Sequence, residues 1–424
     1  MLISLVLISL VQGDTDGPWN LLGASGYSGE IVVNPLTGSS LFYWQFNAFN
    51  GNINTDKKPL IMWLQGGPGC SGEAGLLGER ISPIYIDDNA QPHFNNNSWA
   101  QSYHIISVDY PYGSGYSFAT TPSDYQNSTA GSSSYLYNFL QIIAVKYPNW
   151  FNRDFYIFGE SYAGHWIPGI AYKILQENQS AKVTGVIPIP LKGIAMGDPL
   201  CDALYQTQNY GDVAFDLGLL NRVQNVLINL TESQIAFNIK GGNYVSANNY
   251  LNKVQNDLET YSYNVNLYNM RTYAMPDMGN YPAWLANDTN KNLLNVPSNV
   301  NWIECNNDVY LAFSADITQG FVTNWMPYLL SNLRVMVYNG QDDLLINTRG
   351  VENWFPVINW PNMQGFLKSR KILWKIQNNI VGYVQQYSNM TFVVVQKAGH
   401  FSPYDQPAAV FDMVTKFVSG QGWN

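Results

Sequence analysis

Short apolar runs punctuate the chain at Leu60–Leu64, Ile105–Asp109, Phe155–Phe158, Leu191–Met196, Val335–Tyr338 and Phe392–Val395. They are mostly continuous rather than alternating, which predicts strands of a sheet covered on both faces. Between them, Ile167, Ile170, Ile174 and Leu175 recur at helical spacing, as do Val410, Met413, Val414 and Phe417. Alternating strand and helix signals predict an α/β domain with a mostly parallel central sheet. Ahead of it, Gly29–Val33 and Leu41–Phe46 flank Asn34-Pro35-Leu36-Thr37-Gly38, an expected antiparallel hairpin. Residues 200–300 break the alternation: they are rich in Asn and Tyr, with helical patches such as Leu217–Leu230. The expected plan is therefore one α/β core from 14–199 and 301–424, with 200–300 as a lid or insertion.

Composition narrows the setting. Of 424 residues, 46% are hydrophobic, 14% aromatic and 12% charged, which excludes a disordered chain. Asn, Gln, Ser and Tyr stand where Lys and Asp usually cover a surface, which suits a secreted or vacuolar protein. With 21 basic and 30 acidic residues, a net charge of −9 gives no nucleic-acid footprint. At the start, Leu2 to Val11 is an apolar core of signal-peptide length, followed by Gln12 and Gly13. Residues 1–13 are expected to be a removable targeting segment, the alternative being a buried N-terminal strand. No other stretch approaches the ~20 apolar residues of a membrane span, so the mature protein is expected to be soluble. The three cysteines, Cys70, Cys201 and Cys305, allow at most one intramolecular disulfide, and spacing does not choose it. Asn-x-Ser/Thr sequons at Asn96, Asn127, Asn178, Asn229, Asn287 and Asn389 permit glycosylation.

One string carries chemistry. The run Phe155–Phe158 leads into Gly159-Glu160-Ser161-Tyr162-Ala163-Gly164, and a helical pattern follows. Strand, tight turn, serine and helix form the setting of an α/β-hydrolase nucleophile elbow, where residues two away from the serine must be small. Ala163 stands where the strict motif has Gly, but it is small enough. A serine nucleophile needs a base. His93, His104 and His165 are read as structural or solvated. His400 follows the run Phe392–Val395, in a loop beyond a strand's C-terminal end, where α/β sheets place their chemistry. The third group should lie between them in sequence, and Asp342 and Asp343 after Val335–Tyr338 both qualify. The oxyanion hole should combine the Tyr162 N–H with one from Gln65-Gly66-Gly67-Pro68-Gly69-Cys70, with Gly67 as the second donor. That glycine-rich string lacks the Lys-Ser/Thr ending of a phosphate loop.

Together these strings resemble the serine carboxypeptidase family, the relatives of cathepsin A and carboxypeptidase Y. The resemblance runs from Tyr27-Ser28-Gly29 and Leu41-Phe42-Tyr43-Trp44 through Trp63–Ser71, Asp109–Ser117 and Gly159–Gly164 to Gly399-His400. It implies an α/β-hydrolase fold, with Ser161 as nucleophile, His400 as base and Asp343, rather than Asp342, as the orienting acid. It likewise implies Gly67 and Tyr162 as oxyanion donors, and Trp63, Gln65, Gly66, Glu79 and Glu160 around the substrate's C-terminal carboxylate. Cys70 and Cys305 match a family disulfide, leaving Cys201 odd.

Two glutamates facing a carboxylate would repel it unless they carry protons. Glu79 and Glu160 are therefore expected to have raised pKa values with ligand bound, giving peptide binding at acid pH. Peptides are the implied partners, with no nucleic acid and no membrane, and a homodimer is one assembly the resemblance allows. No cofactor is implied, and no cysteine or histidine spacing matches a zinc template. The implied compartment is the secretory pathway, ending in a lysosome-like or vacuole-like acidic lumen or outside the cell. Gln65, Phe401-Ser402 and Tyr112 depart from the family's usual Asn, Met-Val and small apolar residue, close to the expected substrate pocket. The rival expectations keep the triad and change its use: an acyltransferase or esterase, or a non-catalytic protective partner.

Overall fold

The apolar runs become strands because burial on both faces removes any need to alternate. Residues 14–423 are described by a computed structural model; the expected targeting segment, residues 1–13, lies outside the described residues. The strands are β1 (Gly17–Leu21), β2 (Ala24–Asn34), β3 (Ser39–Phe46), β4 (Leu60–Leu64), β5 (Ile84–Ile86), β6 (Pro92–Phe94) and β7 (His104–Val108). They continue with β8 (Phe155–Glu160), β9 (Leu191–Gly197), β10 (Arg334–Gly340), β11 (Ile372–Ile376), β12 (Asn379–Tyr387) and β13 (Met390–Val395). Every residue of β4, β7, β8 and β13 is buried.

The chain divides into two compact units. The first holds residues up to Gly159, Gly169–Ile194 and Met278–Ala312; the second holds Glu160–Pro168, Ala195–Asp277 and Phe313 onward. In the first unit the hydrogen-bonded order is β1-β2-β3-β7-β4-β8, and β5 pairs with β6 in a separate ribbon. β4 runs parallel to β7 and β8, while β1, β2 and β3 form an antiparallel edge. The expected hairpin is β2–β3, with Ile31 opposite Leu41 and a register shift between Val32 and Asn34. In the second unit the order is β10-β13-β12-β11. β10 and β13 are parallel, so their C-terminal ends emerge side by side, Gly340 opposite Val395.

The Asn- and Tyr-rich stretch is mainly helical. Its two long helices, α3 (Arg222–Lys240) and α4 (Tyr244–Tyr261), follow α1 (Thr129–Lys146) and α2 (Ala163–Thr184) and pack against each other. The helical pattern of Leu217–Leu230 breaks before Arg222 because Asn221 caps α3. Its side chain accepts from the Val223 and Gln224 N–H groups, and Gln224 Oε1 accepts from the Asn221 N–H. Among the described residues no helix is long and apolar enough to cross a membrane.

Candidate active site

The β8–α2 turn forces its central residue into an unusual backbone. Ser161 has φ 62°, in the left-handed region where a non-glycine side chain is strained. Backbone bonds hold it there. The Ser161 N–H donates to Gly197 O at 2.9 Å, and its carbonyl accepts from the N–H groups of Gly164 at 2.9 Å and Leu200 at 3.0 Å. Gly164 has no room for a side chain, since a Cβ there would lie 2.4 Å from Leu200 O. Ala163 starts α2. The structure thus has the elbow that the sequence pattern predicts, with the small-residue requirement sharpest at position 164.

The loops after β10 and β13 are stitched together by main chain. Gln341 N donates to Val395 O at 2.9 Å and Asp342 N to Ala398 O at 2.8 Å. Asp405 Oδ2 accepts from the Gly399 N–H at 2.7 Å and from Asn269 Nδ2 at 2.9 Å. His400 N donates to Tyr268 O at 2.6 Å, and the Tyr268 ring meets the imidazole edge-on at 5.2 Å while stacking on Phe401. Within this frame His400 Nδ1 lies 2.7 Å from Asp343 Oδ2, both side chains buried. Asp343 Oδ1 accepts from the Ile346 N–H at 3.0 Å. Asp342 faces elsewhere: its Oδ2 is 2.8 Å from Arg271 Nε. Of the two carboxylates that strand position left open, Asp343, the one the family resemblance implies, is against the imidazole.

The other expected residues fall into each unit separately. In the first, Trp63 at the end of β4 donates from Nε1 to Gln65 Oε1 at 2.7 Å, and Gln65 Nε2 donates to Glu79 Oε1 at 3.3 Å. Gly75, in the short π-helical turn Ala74–Gly78, lets this chain close: a Cβ there would lie 2.2 Å from Trp63 Nε1. Gly67 has φ 109°, and Cys70 N donates to Gly66 O at 3.2 Å. Cys70 is disulfide-bonded to Cys305, 235 residues away, whereas Cys201 is a buried thiol. In the second unit, Glu160 is fully buried, and the Tyr162 hydroxyl donates to Asp316 Oδ2 at 2.5 Å.

The remaining histidines have local partners. His165 stacks on Tyr162 at 4.5 Å, with its Nδ1 3.6 Å from Asp316. His104 is bonded between the Ala48 N–H and Asp56, and burial lowers its pKa to about 4. His93 is exposed beside Asp87.

The chain can be compared with known proteins on this basis. Residues 17–420 match the family model described as serine carboxypeptidase. The chain belongs to the serine carboxypeptidase family. It is 34% identical to a probable serine carboxypeptidase CPVL of Dictyostelium discoideum over 93% of this chain and 79% of the relative. A human protein of the same description is 30% identical over 96% of this chain and 86% of its own length. A solved structure of a prohormone-processing carboxypeptidase from Saccharomyces cerevisiae superimposes with a TM-score of 0.81 at 24% identity, covering 93% and 91% of the two chains. That likeness shows the fold, an α/β hydrolase.

Sequence reasoning passed over Asp198 and Glu73, and noted Ser402 only as a departure from the family's usual residue. Asp198, after β9, is fully buried and reaches Asp343; Ser402 is bonded to Asp198; Glu73 forms a buried carboxyl pair with Asp109. None belongs to a motif with a chemical role, and only the partner found in the fold reveals each. Asp198, Asp343 and His400 are also, among the described residues, the one cluster whose donor atoms lie within 4.8 Å of one another. Those atoms already engage each other and neighbouring N–H and O–H groups, an arrangement suited to managing protons.

Proposed function

We propose that this serine carboxypeptidase removes C-terminal amino acids from peptides at acid pH, through an acyl-enzyme formed on Ser161. The observation that carries the proposal is the buried Asp343–His400 pair at 2.7 Å, in the same unit as the strained serine turn. His400, its Nδ1 side held by Asp343, takes the Ser161 hydroxyl proton on Nε2 as Oγ attacks the last peptide carbonyl. Asp343 stabilises the imidazolium so formed. The N–H groups of Tyr162 and Gly67 take the oxyanion roles. His400 then protonates the leaving amine, and water, deprotonated by His400, clears the acyl group.

Exopeptidase action needs a reader for the free C-terminus. The proposed readers are Trp63, Gln65, the Gly66 N–H, Glu79 and Glu160. The Trp63–Gln65–Glu79 chain supports this role because it presets the Gln65 amide. Glu79 and Glu160 are both buried, which favours the protonated, hydrogen-donating form over the charge. The Leu267–Met270 segment of the expected insertion, bonded to the loops carrying Asp343 and His400, supports its proposed role as a lid. The Cys70–Cys305 disulfide supports an oxidising, secretory route. A homodimer is the proposed assembly, which sedimentation would decide.

The test uses N-blocked dipeptides at pH 4 to 7, assaying released amino acid for the wild type and Ser161→Ala. Release by the wild type alone, with KM rising toward pH 7, is the expected result. No release by the wild type refutes the function; a flat KM refutes the protonated readers.

A further inference from the structure

A third carboxyl stands behind the proposed triad. Asp198 follows directly on Gly197, whose carbonyl holds the Ser161 N–H, so the nucleophile's anchor and this side chain belong to adjacent residues. Asp198 has φ 42°, again in the left-handed region, with its own N–H bonded to Tyr338 O at 2.8 Å. A strained, fully buried aspartate calls for a reason beyond turn geometry. Its Oδ1 accepts from the Gly340 N–H at 2.7 Å and its Oδ2 from the Ser402 hydroxyl at 3.1 Å. Its carboxyl also bonds to that of Asp343, and ligand atoms of Asp198, Asp343 and His400 all lie within 4.8 Å of one another.

Two carboxylates cannot both stay charged in contact in a buried place; one must hold a proton. Asp343 has two donors, the Ile346 N–H at 3.0 Å and the His400 imidazole at 2.7 Å. Among the described residues no Lys or Arg pairs with Asp198, and His400, within 4.8 Å of it, is bonded to Asp343. The groups acting on Asp198 are Asp343, the Gly340 N–H and the Ser402 hydroxyl. Beyond them, Tyr210 is buried within reach of Asp343's charge, while Arg271 pairs with Asp342 and Asp405 bonds to the Gly399 N–H.

We propose that Asp198 is a positioning residue of the triad, holding a proton that it donates as a hydrogen bond to Asp343. This rests on the assignment of Ser161, Asp343 and His400 above. The bond fixes which way Asp343 points and so holds its Oδ2 against His400 Nδ1. The proton is not transferred during the reaction: the Ser161 proton passes to His400 and on to the leaving group. Burial, and then the charge of Asp343, push the Asp198 carboxyl well above its ordinary range. When alkaline pH finally strips that proton, two adjacent carboxylates repel and Asp343 is driven from His400.

The test follows the rate of phosphonylation of Ser161 by a fluorophosphonate against pH, which needs the triad but no peptide C-terminus. The wild type is expected to show an alkaline fall in rate. Asp198→Ala should slow labelling about 10- to 100-fold, the size of losing a hydrogen bond to a charged group. Asp198→Asn keeps a neutral donor, so it should rescue most of the Ala loss and abolish the alkaline fall. Ser402→Ala removes a donor to the charged form of Asp198 and should shift the fall to higher pH, a second reading if the Asp198 variants fold poorly. An unchanged alkaline limb in Asp198→Asn, or in Ser402→Ala, overturns the inference. Failure of the wild type to label at Ser161 overturns the triad assignment itself.

Discussion

Glu73→Gln should stabilise the protein at neutral pH and do almost nothing at pH 4. Glu73 and Asp109 are both completely buried in the first unit, and their carboxyls bond to each other. Asp109 accepts from the N–H groups of Gly72 at 2.9 Å and Tyr116 at 2.8 Å, which favours its charge. Glu73 Oε2 accepts from the Ser71 hydroxyl at 2.5 Å, while Oε1 has no donor within the protein, so it is the atom that needs a hydrogen. Burial first, and the charge of Asp109 second, push Glu73 well above its ordinary value of 4.5. Burial also raises Asp109, opposed by the bond from Glu73 and the two N–H groups.

One proton is therefore retained on folding. Below about pH 4.5 both folded and unfolded chains hold it, and stability is at its full value. Above that, only the folded chain does, so stability falls by about 1.4 kcal/mol per pH unit until the folded group titrates. The loss grows with every pH unit for as long as the folded pair keeps its proton. Glutamine is neutral at every pH, keeps an N–H donor for Asp109 and an acceptor for Ser71, and escapes this loss. Urea unfolding of wild type and Glu73→Gln at pH 4, 5, 6 and 7 should show stabilities that coincide at pH 4 and diverge progressively, in favour of the variant, as pH rises. A difference that stays constant across this range would refute the retained proton.

Two further outcomes can be checked directly. Gly164→Ala places a Cβ 2.4 Å from the Leu200 carbonyl, a backbone atom that cannot rotate away. It should lower stability by about 1–3 kcal/mol, read by thermal unfolding, and slow Ser161 labelling; an unshifted melting temperature would contradict the close approach. In a secreted form, glycans should occupy the exposed Asn96, Asn127 and Asn287. Asn178, Asn229 and Asn389 should stay bare, because their side-chain amides donate to Ile189 O, Asp212 and Leu330 O respectively. Site-resolved mass spectrometry decides this, and a fully occupied Asn178 would contradict it.

Legibility in the sequence followed burial and contiguity. β4, β8, β9, β10 and β13 stood out because strands covered on both faces are written as unbroken apolar runs. β11 and β12 did not, since β11 is an edge strand and the two bury only Trp374, Gly382 and Val384, with Gln385 and Gln386 among the polar positions of β12. The elbow was legible because its steric demands fall within six consecutive residues, Gly159 to Gly164. His400 and the aspartate pair could be placed only to the end of a strand. Motif spacing left Asp342 and Asp343 both open; the family resemblance pointed to Asp343, and Asp343 is the carboxylate that meets the imidazole.

The sequence by itself therefore determined the strand-turn-serine unit, the strand ends that carry His400 and Asp343, and a composition poor in titrating groups. These are properties of neighbours in the chain. The tertiary structure alone decided how protons are shared. Asp198 and Asp343 are 145 positions apart in the numbering, and Glu73 and Asp109 are 36 apart. Nothing local marks either pair. Burial and mutual contact make one carboxyl of each pair keep its proton, and both conditions exist only after the chain has folded.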